Sequence, residues 1–206
     1  MNYEEIREAF LKIIGTKKCT LTEISRKLFW IQDDDGEVQV KFDTARKSLR
    51  IEKNKRLNII GFIPMDGKSG VFTKGNPPVK DENRFKYRWF NNNKYEEKTA
   101  GSCDCLLIDH KWRFFELKTE AFSKNEEQAN QEHEKASLQL ARTITFFREQ
   151  AIEKDIKINF AFEAVIAFPS SFPLAKGATF NRGVRFYKDF KARLIEVKTN
   201  TSYKLD

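Results

Sequence analysis

Asp104, Glu116 and Lys118 are charged side chains set in the apolar-rich stretch at residues 103–120, CDCLLIDHKWRFFELKTE. A core strand gains nothing from a carboxylate, because taking that charge out of water is costly unless a cation takes up its lone pairs. The residue types suggest what the cation is. Two carboxylates offer all-oxygen coordination, which suits a hard divalent ion such as magnesium, and an ammonium group beside them can orient a water and favour its ionised form. Such chemistry requires all three groups on one face.

The stretch divides into apolar runs at 103–108 and 112–117 around a polar break at Asp109, His110 and Lys111, which is the pattern of a β-hairpin. A turn with an odd number of residues, centred on His110, sets Leu106 opposite Phe114 and Asp104 opposite Glu116. Directly opposed residues share a face, with Cβ atoms about 4.5–5.5 Å apart. Glu116 and Lys118, two apart on one strand, share that face as well. An even-numbered turn would put Asp104 on the other face and dismantle the set. A second Glu-x-Lys, Glu196-Val-Lys198, has no acid placed across a hairpin and no long helix after it, and reads as a solvated strand.

Several elements must position these groups. Ser123, Lys124, Asn125 and Glu126 have the form of a capping box, opening an amphipathic helix to about Ala151. Its buried stripe is Ala136, Leu140, Thr143, Ile144, Phe147 and Ala151, with Gln139 on the shoulder. Residues 158–168 are nearly all apolar and read as a strand covered on both faces, ended by Pro169. Upstream, residues 85–90 alternate as a strand, Asn91 to Asn93 read as a turn, and Glu96 and Glu97 as part of a solvated loop. The tail offers a loop with Pro173 and Gly177, then a strand at 194–197.

The first third predicts a helix over 2–14, with Tyr3, Ile6, Phe10 and Ile13 at helical spacing and Gly15 as its stop. Thr20 and Glu23 form a capping box for a short helix, and residues 33–36 a turn between Trp30-Ile31 and Val38 to Val40. From Asp43 the chain is helix-compatible and basic, with Arg46, Lys47, Arg50 and Lys53 as phosphate-seeking candidates. A hairpin follows, marked by Asp66-Gly67 and Ser69-Gly70. This order gives a mainly helical N-terminal region: either a winged helix-turn-helix or the helical flank of one larger domain. The linker at 75–79 divides the chain into 1–78 and 79–206.

With 206 residues, 40% hydrophobic and 13% aromatic, the chain can bury a sizeable core. A net charge of +8 and a pI near 9.3 favour a polyanionic partner, nucleic acid above all. Cys19, Cys103 and Cys105 lack zinc-ligand spacing, and Cys103 and Cys105 would point their thiols to one face; they read as small buried hydrophobes in a reducing cytosol. The opening residues are charged, and no apolar run reaches the roughly 18 residues needed to span a bilayer. The expectation is a cytoplasmic protein with no membrane partner. His110, at the hairpin tip, and His133, among charges on the long helix, read as surface residues.

The order Asp104, then Glu116-Leu-Lys118 closing an apolar strand, then helix, then buried strand, resembles the PD-(D/E)XK nuclease superfamily. The resemblance spans roughly residues 85–168. It implies an α/β (α+β) fold with a restriction-endonuclease-like αβββαβ core that hydrolyses phosphodiesters with Mg2+, for which Mn2+ can substitute. It assigns Asp104 and Glu116 to metal binding and Lys118 to catalysis. Gln139, within Lys135-Ala-Ser-Leu-Gln139-Leu140, matches a helical glutamine that several branches place beside the active site. Ser102 stands where the name-giving proline would be, and no upstream acid is assigned. The expected substrate is DNA, with RNA the other candidate, and a homodimer would suit duplex cleavage. The alternative is a catalytically inactive nucleic-acid-binding or partner-binding module on the same fold.

Overall fold

The computed structural model describes residues 2–206 except 16–18, 35, 45–46, 55, 58, 74, 92–93, 124 and 174–175. In chain order they form α1 (Tyr3–Ile14), β1 (Thr22–Ile24), β2 (Leu28–Asp34), β3 (Glu37–Lys41), β4 (Ser48–Lys53) and β5 (Ile60–Pro64). A single 3-10 turn (Glu82–Phe85) leads into β6 (Lys86–Asn91), β7 (Lys94–Thr99), β8 (Cys105–Ile108) and β9 (Trp112–Leu117). The chain ends with α2 (Glu126–Glu153), β10 (Phe162–Phe168), α3 (Lys176–Phe190), β11 (Arg193–Lys198) and β12 (Ser202–Leu205).

β1-β5-β8-β9-β10-β11 make a six-stranded sheet, antiparallel as far as β9 and parallel from β9 to β11. β12-β4-β2-β3 make a second sheet, and β6 and β7 a separate ribbon. The larger sheet is the middle layer of a mixed α/β fold. Leu106, Ile108, Trp112, Phe114, Ala164 and Ile166 pack in one apolar cluster with Ile6 and Phe10 of α1 and Leu140 and Phe147 of α2. Their sequence neighbours Cys105, Leu107, Phe115, Val165 and Ala167 pack with Phe29, Ile31, Leu49 and Ile51 of the smaller sheet. Burial on both faces explains why β8, β9 and β10 read as nearly unbroken apolar runs.

α1 forms as its sequence predicts. Asn2 and Glu5 cap one another's backbone amides, Ile6, Phe10 and Ile13 face the core, and Gly15, at φ 63°, ends the helix. α2 buries every residue of its expected stripe. Its N-cap is Asn125, whose side chain accepts from the Gln128 amide at 2.9 Å; Ser123 instead donates to the Asn125 carbonyl. Among the described residues no helix is long and apolar enough to cross a membrane.

The expected helical N-terminal region is corrected. Between residues 22 and 64 the described elements are five strands, so the second and third helices of a winged helix-turn-helix are not formed. Thr20 and Glu23 carry a local capping signal, but a helix that short cannot offset its nucleation cost, and Thr22 to Ile24 pair with β5 instead. The basic segment is β4, where Leu49 and Ile51 turn inward and Arg50 outward with period two. The hairpin at 33–36 forms, with Gly36 at φ 78°. After β5 the chain turns back through backbone hydrogen bonds from Gly70 to Gly67, from Val71 to Pro64 and from Phe72 to Met65. β1 and β5 precede residue 79 yet share a sheet with β8 to β11, and β12 joins the sheet of β2 to β4. β10 starts at Phe162, later than expected, and the tail holds α3 where a loop was expected.

Candidate active site

The β8–β9 turn has an odd number of residues, with Leu106 paired to Phe114 and Ile108 to Trp112. Asp104 lies one residue before the Cys105–Phe115 pair, where regular pairing ends, and donates its amide to the Phe115 carbonyl at 2.9 Å, which sets its carboxylate close enough to Glu116 for the two charges to act on each other. Its Oδ2 accepts from the Leu117 amide. Both carboxylates are buried, Asp104 at 6% exposure and Glu116 at 1%. Lys118 Nζ donates to Glu116 Oε1 at 2.5 Å and to Gln139 Oε1 at 3.0 Å, while Gln139 Nε2 donates to the Ser102 carbonyl at 3.0 Å. Gln139, reaching down from α2, thus ties the lysine to the segment just before Asp104. All four expected site residues meet here.

Sequence reasoning missed Asp66, which had been read only as half of a turn. The Met65 amide bonds to the Asp104 carbonyl at 2.8 Å, so the β5–β8 pairing delivers Asp66 to the two acids. The loop after it is tight: a Cβ on Gly70 would lie 2.1 Å from the Asp66 carbonyl oxygen, so no other residue fits there unshifted. Burial, then Glu116 and Asp33, pushes the Asp66 carboxyl up to about 7. Burial, then Glu116 and Asp66, raises Asp104 well above the ordinary range. Burial raises Glu116 too, against the pull of Lys118. Burial disfavours the charge on Lys118, but Glu116 and Asp104 outweigh it and its pKa ends above the usual lysine value. Lys118 is therefore held as an ammonium against Glu116.

Lys118 also lines an open cleft of about 370 Å³ with Asp33, Gly36, Glu120, Glu132 and Lys135. The tip of the β2–β3 hairpin forms one wall and α2 another. Lys135 belongs to the same helical segment as Gln139, and its charge is disfavoured by burial and by Lys118.

Among the basic candidates, Arg46 lies outside the described residues. Lys47 pairs with Glu120 at 2.5 Å beside the cleft. Arg50 is exposed on β4, whereas Lys53 is buried and donates to the Ser25 carbonyl at 2.6 Å. Three further expectations change. His133 is buried, 3.3 Å from Glu196, and Glu196 is itself enclosed, because α3 covers them with Arg182 and Thr179. His110 is exposed at the hairpin tip as expected. Cys103 and Cys105 fall in opposite apolar clusters, since strand alternation begins only after Asp104. Glu96 and Glu97 sit exposed on β7, where Glu97 pairs with Lys86.

Among the described residues no group of three or more His, Cys, Asp or Glu is already arranged to hold a metal ion. Yet two buried carboxylate oxygens, Glu116 Oε2 and Asp66 Oδ1, have no hydrogen-bond partner among the described residues. Orphaned anionic oxygens are the donor type that a hard divalent cation takes, so the residues present fit magnesium or manganese. Comparison of the chain with family models, with curated proteins and with solved structures finds no match to any of them.

Proposed function

We propose that the chain is a magnesium-dependent nuclease of the PD-(D/E)XK type, hydrolysing phosphodiester bonds in DNA. The observation that carries this is the pair of orphaned carboxylate oxygens beside Lys118, one on Glu116 of β9 and one on Asp66 after β5, with the Asp104 carboxylate next to them. The order α1, β5, β8, β9, α2, β10, read as helix, three antiparallel strands, helix and parallel strand, supports a restriction-endonuclease-like core.

On this reading Asp104, Glu116 and Asp66 supply oxygen donors for the ion. When bound, the ion supplies Lewis acidity to a phosphoryl oxygen and favours ionisation of a water. Lys118, held by Gln139, orients that water and offsets charge developing on the phosphate. The protein is expected to cut DNA with magnesium and to leave it intact in EDTA. Lys118→Ala is expected to stop cutting while DNA binding persists; cutting at the wild-type rate by that variant would refute the assignment.

One observation favours a second reading. Asp104 Oδ2 is bonded to the Leu117 amide, and no three-ligand group is in place among the described residues. A catalytically inactive nucleic-acid-binding module would still bind DNA with steep salt dependence, with no divalent-ion-dependent cleavage at any concentration of protein.

A further inference from the structure

We propose that the outward face of the β12-β4-β2-β3 sheet is a stacking platform that leads single-stranded DNA into the Lys118 cleft; this deepens the nuclease reading and rests on it. In β2, Phe29 and Ile31 are buried against the middle layer, and Trp30 between them faces the other way, half-buried. Trp30 belongs to neither apolar cluster. Its cross-strand partners are Lys41 on β3 and Arg50 on β4, and Arg50 pairs in turn with Ser202 on β12. Paired residues share a face, so Lys41, Trp30, Arg50 and Ser202 form one line across the sheet, with neighbouring strands about 4.8 Å apart. An indole thus stands between two cations.

The line has a direction. On the side away from the cleft, the Arg26 guanidinium lies 4.6 Å from the ring centre of Phe42, which is 40% exposed. On the side toward the cleft this face carries Gln32 and Gln39, paired to each other, and then the hairpin tip, around which Gly36 and, from the opposite face of β2, Asp33 line the cleft with Lys118. From Trp30 to Asp33 is three residues of strand, about 10 Å. The acids on this face, Asp34, Glu37 and Glu52, do not share the Trp30 line; Glu37 accepts from the Lys68 amide and the Ser69 hydroxyl, and Glu52 is paired with Lys204.

A flat aromatic side chain flanked by cations matches a chain of unpaired bases. One base stacks on the ring while the neighbouring phosphates meet the charges, without sequence preference. A duplex hides its base faces and offers such a ring nothing to stack on. Of the basic residues singled out in the sequence, Arg50 is the one this surface uses.

The test is binding without cleavage, by fluorescence anisotropy of a labelled mixed-sequence DNA strand in EDTA. The matched duplex and an RNA strand are run beside it. Trp30→Ala is expected to weaken single-strand binding about tenfold, with Trp30→Phe retaining most of it. Arg50→Ala is expected to reduce the slope of log affinity against log salt by about 0.7. Unchanged circular dichroism and thermal midpoint show that the variants fold. Equal affinity of wild type and Trp30→Ala, or tighter wild-type binding of the duplex or of RNA, overturns the proposal. Cleavage in magnesium is scored separately. A chain that binds single strands through Trp30 but never cuts refutes the nuclease, whereas a chain that cuts but binds indifferently to Trp30 refutes the platform.

Discussion

The chain contains Glu-x-Lys twice, and the fold sets the copies side by side. β10 runs between them, with Ile166 paired to Glu116 on β9 and to Glu196 on β11, so the two glutamates stand at one level on the face beneath α2. Gln139 of α2 meets the first copy and His133 of α2 the second. What differs is how completely each carboxylate is surrounded. Glu196 receives Arg182 Nε at 2.8 Å on one oxygen, and Thr179 at 2.7 Å and Arg182 again at 3.1 Å on the other. Lys198 turns away to the carbonyls of Ser170 and Phe172. Glu116 has Lys118 on one oxygen and, among the described residues, no partner on the other. Both oxygens of Glu196 are thus satisfied by α3, whereas one oxygen of Glu116 in the same layer is not, and this is the difference the proposed ion site rests on.

The sharpest way to break this comparison is to neutralise each glutamate in turn. Glu116→Gln should lower cleavage by about 10²–10³-fold, the scale of losing one charge-stabilising group in a closed site, and Lys118→Ala should do the same. Glu196→Gln should leave turnover unchanged in a plasmid-nicking assay. Its stability should suffer instead, by about 2–3 kcal/mol in urea unfolding, because Arg182 loses its counter-charge in a largely enclosed place. Loss of turnover in Glu196→Gln with stability intact would erase the distinction between the copies.

Acid titration separates the two regions by sign. Burial works against the Glu196 charge, but hydrogen bonds from His133, Arg182 and Thr179 outweigh it and hold the carboxyl down at about 2. Its contribution to stability is therefore present above the ordinary glutamate value of about 4.3 and is lost as pH falls toward 2. Asp66 behaves oppositely. Its folded value of about 7 lies above the unfolded one, so stability is greatest below about pH 3.9 and is lost as pH rises through 7. In EDTA, thermal melts of Glu196→Gln should lose part of the acid-side decline and keep the neutral-side one.

How much of this the sequence revealed depends on the range of each interaction. The pairing of Leu106 with Phe114 across the hairpin was legible because Asp109, His110 and Lys111 fix its odd-numbered turn locally, and the α2 stripe because its period is internal to the helix. β4 was misread since Arg46 to Arg56 is helix-compatible in composition; the alternation Leu49, Arg50, Ile51, Glu52 carried the truer signal. α3 was hidden by Gly177 and Gly183, which weaken helix propensity. With α3 unseen, nothing showed that Arg182 and Thr179 would enclose Glu196 and His133. Asp66 was illegible for a related reason, since it reaches the acids only through pairing between strands far apart in sequence.

The smallest effect is also the most specific to the incomplete shell. Asp66→Asn removes a carboxylate that has a buried, unpartnered oxygen and two acidic neighbours raising its pKa, Glu116 and Asp33. In EDTA at pH 8 the variant should be more stable than wild type by about 1 kcal/mol, since an uncompensated buried charge is gone and the amide keeps the shape. Added magnesium should then raise the thermal midpoint of the wild type more than that of the variant, because ion binding to the folded state alone stabilises it by mass action. Equal magnesium shifts in the two proteins would mean that Asp66 is no part of the ion's shell, and the site would rest on Asp104 and Glu116.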